Sequence, residues 1–307
     1  MGPSERIRLG QIGCGNWGKK LNGYFALHPG FEMAKVSAKD ASKPREGLTG
    51  SFTDIRGIID DRQIEAVIVA TPVETHFELA KQVLSAGKHL FCEKNFTVTP
   101  EEAEELKRLA ASRSLKIMVD YTFTFSRGIA EMLRIARSGV IGNLSSVSMR
   151  MCISEGIRKE SAYSRLASHI LSILSMLHPL GEFSFSRHDM FIRDRVVDKA
   201  LLMFKHGPSQ LNGSAYLNLN DPDKSIGVSI FGETGVVTYD AIMPPAVRTV
   251  EYASGNESCI AGDESNNLAI VVDLFHRMLT SDEPSNIDRA LQVAHALKRI
   301  DDLGRSS

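Results

Sequence analysis

The chain has almost no net charge, no close-set cysteines and no long apolar run, and each absence removes a class of function. Lys and Arg total 36 against 37 Asp and Glu, which leaves no electrostatic footprint for nucleic acid or an anionic membrane surface. A small molecule is the expected partner. The four cysteines, Cys14, Cys92, Cys152 and Cys259, are scattered and lack the close pairs that a structural zinc site or a disulfide framework needs. Reduced thiols and a cytoplasmic location are expected. Residues 1–20 show no apolar signal-peptide core, and no later stretch approaches the roughly 18 apolar residues of a membrane span. No serine–histidine–acid order and no metal-spaced cluster stands out, so neither hydrolysis nor a metal centre has positive support.

A length of 307 residues exceeds what one compact core usually holds, so two domains are expected, 1–120 and 121–307. From Ile7 to Asp120 short apolar runs alternate with helical stretches, the pattern of a parallel sheet with crossover helices. Strands are predicted at Ile7–Ile12, Glu32–Ser37, Ala66–Ala70, His89–Cys92 and Ile117–Asp120, and helices at Thr75–Ala86 and Pro100–Ser112. The run Ala66-Val67-Ile68-Val69-Ala70 has no polar alternation and suits a central strand covered on both faces. Thr99, Pro100 and Glu102 form a helix start with several agreeing parts: cap, first position and capping-box acid. Ala38–Gly50, with Pro44 and two glycines, reads as a loop where a crossover helix would normally stand.

After a helix at about Ser126–Ser138 the character changes. Strand-like runs at Leu144–Ile153, Val196–Phe204, Gln210–Leu219, Ser225–Phe231 and Val236–Tyr239, joined by turns, predict a mostly antiparallel open sheet. Helices are expected at about Ala162–Leu177, Asn266–Leu279 and Ile287–Ile300. The fold class is therefore an α/β N-terminal Rossmann domain followed by an α+β domain for substrate binding and oligomerisation, because an open sheet exposes a face that a symmetry mate can cover.

Gly13-Cys14-Gly15-Asn16-Trp17-Gly18 follows an apolar strand and opens a helix near the start of a βαβ unit. Glycines at that spacing are a weak signal alone; in this context they let backbone N–H groups approach a pyrophosphate at a helix N-terminus. Gly13, Gly15, Asn16, Trp17 and Gly18 are the expected cofactor contacts. About 20 residues beyond the last glycine, where NAD-binding chains carry a ribose-binding acid, stands Ala38, flanked by Ser37 and Lys39 with Lys43 and Arg45 behind. That set suits a 2′-phosphate, so NADP(H) is expected in preference to NAD(H), with Ser37 and Lys39 as contacts. The alternative is that these are solvated loop charges and Asp40 takes the acidic role.

Two further strand ends, Ala70-Thr71-Pro72-Val73-Glu74-Thr75-His76 and Ala86-Gly87-Lys88-His89-Leu90-Phe91-Cys92-Glu93-Lys94, join the glycine loop in a resemblance to the glucose–fructose oxidoreductase/inositol dehydrogenase/MocA family. The likeness continues through Val119-Asp120-Tyr121-Thr122-Phe123 and Ser138-Gly139-Val140-Ile141-Gly142, covering the first 150 residues closely and the rest loosely. It implies an NAD(P)-dependent dehydrogenase or reductase acting on a CH–OH or C=O group, usually of a sugar, cyclitol or nucleotide sugar, in a homodimer or homotetramer. It also implies substrate binding and proton transfer by Lys94, a ribose contact from Glu93, and Thr71, Pro72 and His76 near the cofactor. A lysine at the carboxyl end of a parallel strand is independently well placed, since ligands of such sheets sit there.

The pattern breaks at two places. Asn95 stands where the family usually has Pro, and in the second-domain helix the family's Asp, four residues before a His, is replaced: Arg165-Leu166-Ala167-Ser168-His169 keeps the His and substitutes a cation. On a regular helix Arg165, His169 and Ser172 share a stripe. His169 is a candidate catalytic partner of Lys94, with a satisfied core histidine as the alternative. Arg165 offers a fork for a carboxylate or phosphate, implying an anionic substrate, unless it pairs with an acid such as Glu160. Tyr163 and Tyr121 join it as candidate substrate contacts, with Arg127 and His178 as further polar residues that have structural alternatives. The expected function is an NADP(H)-dependent oxidoreductase; the other reading is a dinucleotide-binding sensor or partner subunit that has lost the chemistry.

Overall fold

The computed structural model describes residues 6–38, 47–154, 160–242, 246–261, 267–281 and 283–305. In chain order its first elements are β1 (Ile7–Ile12), α1 (Asn16–Leu27), β2 (Phe31–Ser37), β3 (Ser51–Phe52), α2 (Ile55–Ile59), β4 (Ala66–Val69), α3 (His76–Ser85), β5 (His89–Glu93), α4 (Pro100–Ser112) and β6 (Ile117–Asp120). The strands form one sheet in the order β3-β2-β1-β4-β5-β6, with every pair parallel. That order is the doubly wound one whose ligands gather outside the strands' carboxyl ends. All four residues of β4 are buried, as its unbroken apolar run requires. At α4 the Thr99 Oγ1 accepts from Glu102 N at 3.3 Å and Glu102 Oε2 accepts from Thr99 N at 3.1 Å, the reciprocal cap expected from the sequence. Of the Ala38–Gly50 loop, residues 39–46 lie outside the described residues.

The chain continues with α5 (Arg127–Arg137), β7 (Leu144–Ser154), α6 (Ser168–Leu177), β8 (Phe183–Arg193), β9 (Val196–His206), β10 (Asn212–Asn218), β11 (Asn220–Gly232), β12 (Gly235–Asp240), β13 (Ala246–Glu251), β14 (Glu257–Ala261), α7 (Asn267–Thr280) and α8 (Ile287–Arg305). Its eight-stranded sheet runs β14-β13-β12-β11-β7-β10-β9-β8. The pairs are antiparallel except β7 with β10. Along β7, Val147, Met149 and Met151 are buried while Ser148 and Arg150 are exposed, the alternation of a sheet covered on one face. The other face is polar, and Ser148, Arg150, Thr238, Asp240 and Arg248 shape a depression of about 370 Å³ on it.

Two compact units result, but not from a single cut at residue 120. The first is Met1–Thr122 together with Leu268–Ala294; the second is Phe123–Asn267 with His295–Ser307. Apolar packing and edge pairing explain the return of the late segment to the first unit. Phe275 on α7 is fully buried, with its ring centroid 5.4 Å from Phe91, 6.0 Å from Phe31 and 6.1 Å from Phe25. Just beyond α7, Asn286 accepts from Val119 N and donates to Val119 O, both at 2.8 Å. Ser285 Oγ accepts from Ile117 N at 2.7 Å and donates to Ile117 O at 2.6 Å. These side chains satisfy main-chain groups on the outer side of β6 that would otherwise be an open sheet edge. Among the described residues no helix is long and apolar enough to cross a membrane.

Phe275→Ala should cost about 3–5 kcal/mol by leaving a cavity in this aromatic cluster. The denaturation midpoint measures it; a loss below about 0.5 kcal/mol, typical of a surface change, would show that α7 does not complete the first core.

Candidate active site

The glycine loop is built by two close approaches and one open position. Gly13 has φ +99°, and a Cβ on it would lie 2.3 Å from Ala70 O, so only glycine fits. A Cβ on Gly18 would lie 2.5 Å from Gly13 O, which fixes how tightly α1 packs on the turn. Gly15 is different: nothing lies within 4 Å of its Cβ position. It is the N-cap of α1, makes no side-chain cap, and is followed by a first turn without an acid. An uncapped helix N-terminus facing open space, with the dipole's positive end unopposed, fits a pyrophosphate.

Sequence reasoning missed the residue that holds this turn. Gln11, fully buried on β1, donates through Nε2 to Gly13 O and Gly18 O, both at 2.8 Å. Its Oε1 accepts from Asn22 Nδ2 at 3.1 Å, and Asn22 in turn accepts from Thr49 N at 2.7 Å. The available signal was a glutamine in an otherwise buried strand, because a buried amide must find partners. Gly13 N and the Cys14 thiol both donate to Ser37 O, at 2.9 and 3.7 Å, while Ser37 itself is buried. Lys39, Asp40, Lys43 and Arg45 lie outside the described residues.

Thr71 and Pro72 follow β4, and Glu93 ends β5 with Lys94 next to it. All therefore stand at the carboxyl ends of neighbouring parallel strands of the unit that carries the glycine loop. His76 ties two of these ends together: its ring nitrogens lie 2.7 Å from Asn95 O and 2.8 Å from Thr71 O. The ring is buried; burial pushes its pKa below the usual imidazole range, against the pull of the neighbouring carbonyls. The Lys94–Asn95 peptide is cis. Glu93, which the family resemblance assigns to a ribose, has its carboxyl against Asp120 and the Trp17 indole. Tyr121 is buried in the same unit, its hydroxyl pKa driven up by burial.

In the second unit the helix carrying Arg165 and His169 is not a regular α-helix throughout. Tyr163–Ala167 is a π-helix, whose wider i to i−5 turn alters the stripe predicted from α-helical spacing. Arg165 Nη1 is 3.2 Å from Glu160 Oε2, the ion pair that stood as the alternative to an anion fork. His169 meets Phe123 edge-on at 5.2 Å between ring centroids. Tyr163 is buried, with the Arg187 guanidinium 4.2 Å from its ring centroid and Arg187 paired to Asp189 at 2.8 Å. Among the described residues no group of three His, Cys, Asp or Glu is placed to hold a metal ion.

A parallel sheet in this strand order, with a glycine turn shaped around open space at a helix N-terminus, defines a dinucleotide-binding Rossmann unit. Residues 7–121 match the GFO_IDH_MocA model, described as an oxidoreductase family with an NAD-binding Rossmann fold. It is 32% identical over 145 residues to the uncharacterized oxidoreductase YdgJ of Escherichia coli, covering 46% of this chain and 42% of that one. It is 28% identical over 156 residues to dTDP-3,4-didehydro-2,6-dideoxy-alpha-D-glucose 3-reductase of Streptomyces antibioticus, covering 49% and 48%. The matched stretches thus span less than half the length of either relative. Across 97% of both chains the fold is that of KijD10, a 3-ketoreductase from Actinomadura kijaniata in complex with TDP-benzene and NADP, with a TM-score of 0.86 and 19% identity.

Because the Gly15 Cβ position is open and its φ is −66°, Gly15→Ala should leave the melting temperature unchanged while placing a methyl where the phosphates approach. Dinucleotide affinity, read by fluorescence titration, is expected to fall at least about tenfold, roughly 1.4 kcal/mol. Unchanged affinity would show that the pyrophosphate does not sit there.

Proposed function

We propose that the protein is an NADP(H)-dependent oxidoreductase acting on a hydroxyl or carbonyl carbon of a sugar-like substrate, nucleotide-linked sugars included. The observation that carries this reading is Lys94, a cationic side chain that immediately follows β5 at the strand ends where the glycine loop also lies. Hydride exchange with the substrate carbon is the chemistry a bound nicotinamide supplies. Lys94 binds the reacting oxygen and moves its proton, a task for which a lysine at a ligand-facing strand end is suited. Gly13, Gly15, Asn16, Trp17 and Gly18 hold the pyrophosphate through the main chain, with Thr71 and Pro72 bordering the nicotinamide end.

The NADP(H) preference rests on Ala38 standing where an acid would repel a 2′-phosphate, and on the basic residues Lys39, Lys43 and Arg45 that follow it. The NADP in the KijD10 complex is consistent with it. A keto-sugar substrate has support from the same neighbour and from the 3-reductase relative. Arg165 is assigned to its ion pair with Glu160 rather than to an anionic substrate group. The polar open face of the second unit's sheet is the surface through which we expect a homodimer or homotetramer, and sedimentation of the purified protein tests it.

NADPH should bind more tightly than NADH in a fluorescence titration; the reverse order would overturn the preference. Lys94→Ala should lower kcat by about 10²–10⁴-fold, the usual contribution of a positioned proton-transfer group, with dinucleotide affinity kept. Arg165→Met should leave KM unchanged, whereas a large rise would restore the anion role. A panel of keto sugars and nucleotide sugars that elicits no nicotinamide absorbance change, with dinucleotide bound, would favour a sensor or partner subunit instead.

A further inference from the structure

Glu93 and Asp120 end adjacent strands β5 and β6 and are paired in register, and side chains paired in register on parallel strands project from the same face. Asp120 is fully buried, and Glu93 Oε1 and Asp120 Oδ2 are both shielded from solvent with no hydrogen-bond donor in normal reach among the described residues. The two carboxyls are close enough to shift one another, and the Trp17 indole favours the ionised form of each. Thr122 Oγ1 donates to Asp120 Oδ1 at 2.9 Å. Ionised carboxylates only accept hydrogen bonds, so two that meet in a buried place need a proton between them. Two like charges there would not both persist. Burial and the partner carboxyl drive Glu93 well above the usual carboxylate range, and burial raises Asp120 as well. Lys94, next in the chain after Glu93, acts on both in the opposite sense. Among the described residues the Cys92 thiol is a further titratable neighbour, which burial holds far up and which Glu93 raises further.

We propose that Glu93 and Asp120 share a single proton and, through the one negative charge left on the pair, keep Lys94 an ammonium poised to give its proton to a carbonyl oxygen. They are positioning residues acting through Lys94, and the site they set is one for reduction. The proposal rests on the oxidoreductase reading above for what Lys94 does. In the step implied, the carbonyl carbon gains hydride, its oxygen takes the Lys94 Nζ proton, the lysine is left as an amine, and it regains a proton from solvent. The carboxyl pair keeps its proton throughout, so no second buried charge is created.

Trp17 is the chain's one tryptophan and its indole acts on both carboxyls, so it reports on the pair in the free protein. Its emission should show a pH transition above the usual carboxylate range that Glu93→Gln and Asp120→Asn each remove, with Trp17→Phe as the blank. A second measurement follows acetic anhydride labelling of Lys94 by mass spectrometry. The double variant Glu93→Gln/Asp120→Asn, which leaves no carboxylate in the pair, should raise the labelling rate at fixed pH by about tenfold, one pKa unit of lost counter-charge, whereas either single substitution keeps one carboxylate and a rate near wild type; melting temperatures check that the variants fold. A wild-type emission with no transition above the carboxylate range, or one that survives both substitutions, overturns the shared proton. Lys94 labelling unchanged in the double variant overturns the counter-charge. Neither measurement needs turnover, so a chain with no reductase activity would refute the oxidoreductase reading while these two outcomes still decide the pair.

Discussion

The contact on which the first unit depends is the close approach of the turn at Gly13 to the first turn of α1 at Gly18. A side chain at either position would strike main chain, at Ala70 O in one case and Gly13 O in the other. The Gln11 amide makes the approach durable by donating to both carbonyls from inside the core. This packing and the cradle are one feature. Pulling α1 against β1 leaves Gly15 at the mouth with open space before it, and the helix's first N–H groups without a side-chain cap. An anion is the natural partner for donors so placed. The steric demand that selects glycine at 13 and 18 thus also builds the binding surface at 15.

Much of that unit was legible in the sequence because its signals are local. The unbroken apolar run of β4, the capping box of α4 and the glycine spacing each specify their own conformation within a few residues, and all appear as expected. What was not legible depends on partners distant in sequence. Nothing in Leu268–Ala294 announces that Phe275 completes a cluster with Phe25, Phe31 and Phe91, or that Ser285 and Asn286 pair with the edge of β6. The terminal strands β8 and β14 of the second sheet are largely exposed, so they lack the alternation that marks a half-buried strand. The π turn at Tyr163–Ala167 defeated a stripe drawn at 3.6-residue spacing.

The site was legible in the same uneven way. Lys94 follows from a strand end, and the alternative weighed for Arg165, an ion pair with Glu160, is the contact the structure contains. Glu93 and Asp120 were each visible as residues closing or adjoining a strand, yet their relation needs the register of β5 against β6. Two acids ending consecutive parallel strands were the available signal. It went unread because an acid at a strand end is usually solvated, and only the burial of Asp120 makes the pairing consequential.

The loss of an acid from the helix of the second unit is what separates this chain from the family pattern. An acid is absent from the helix of the second unit, where Arg165 replaces it, while the first unit holds an acid pair beside Lys94. A carboxylate near the reacting oxygen favours removing a proton from a hydroxyl, since it can accept that proton. A carboxyl pair placed behind a lysine does the opposite: its single charge is compensated by the ammonium, and that ammonium stabilises negative charge growing on a carbonyl oxygen. With that acid gone and the pair retained, the proposed site is biased toward delivery of a proton. Burial makes the bias robust, because a pair that cannot easily lose its last proton holds a fixed charge of one while the lysine in front of it changes state.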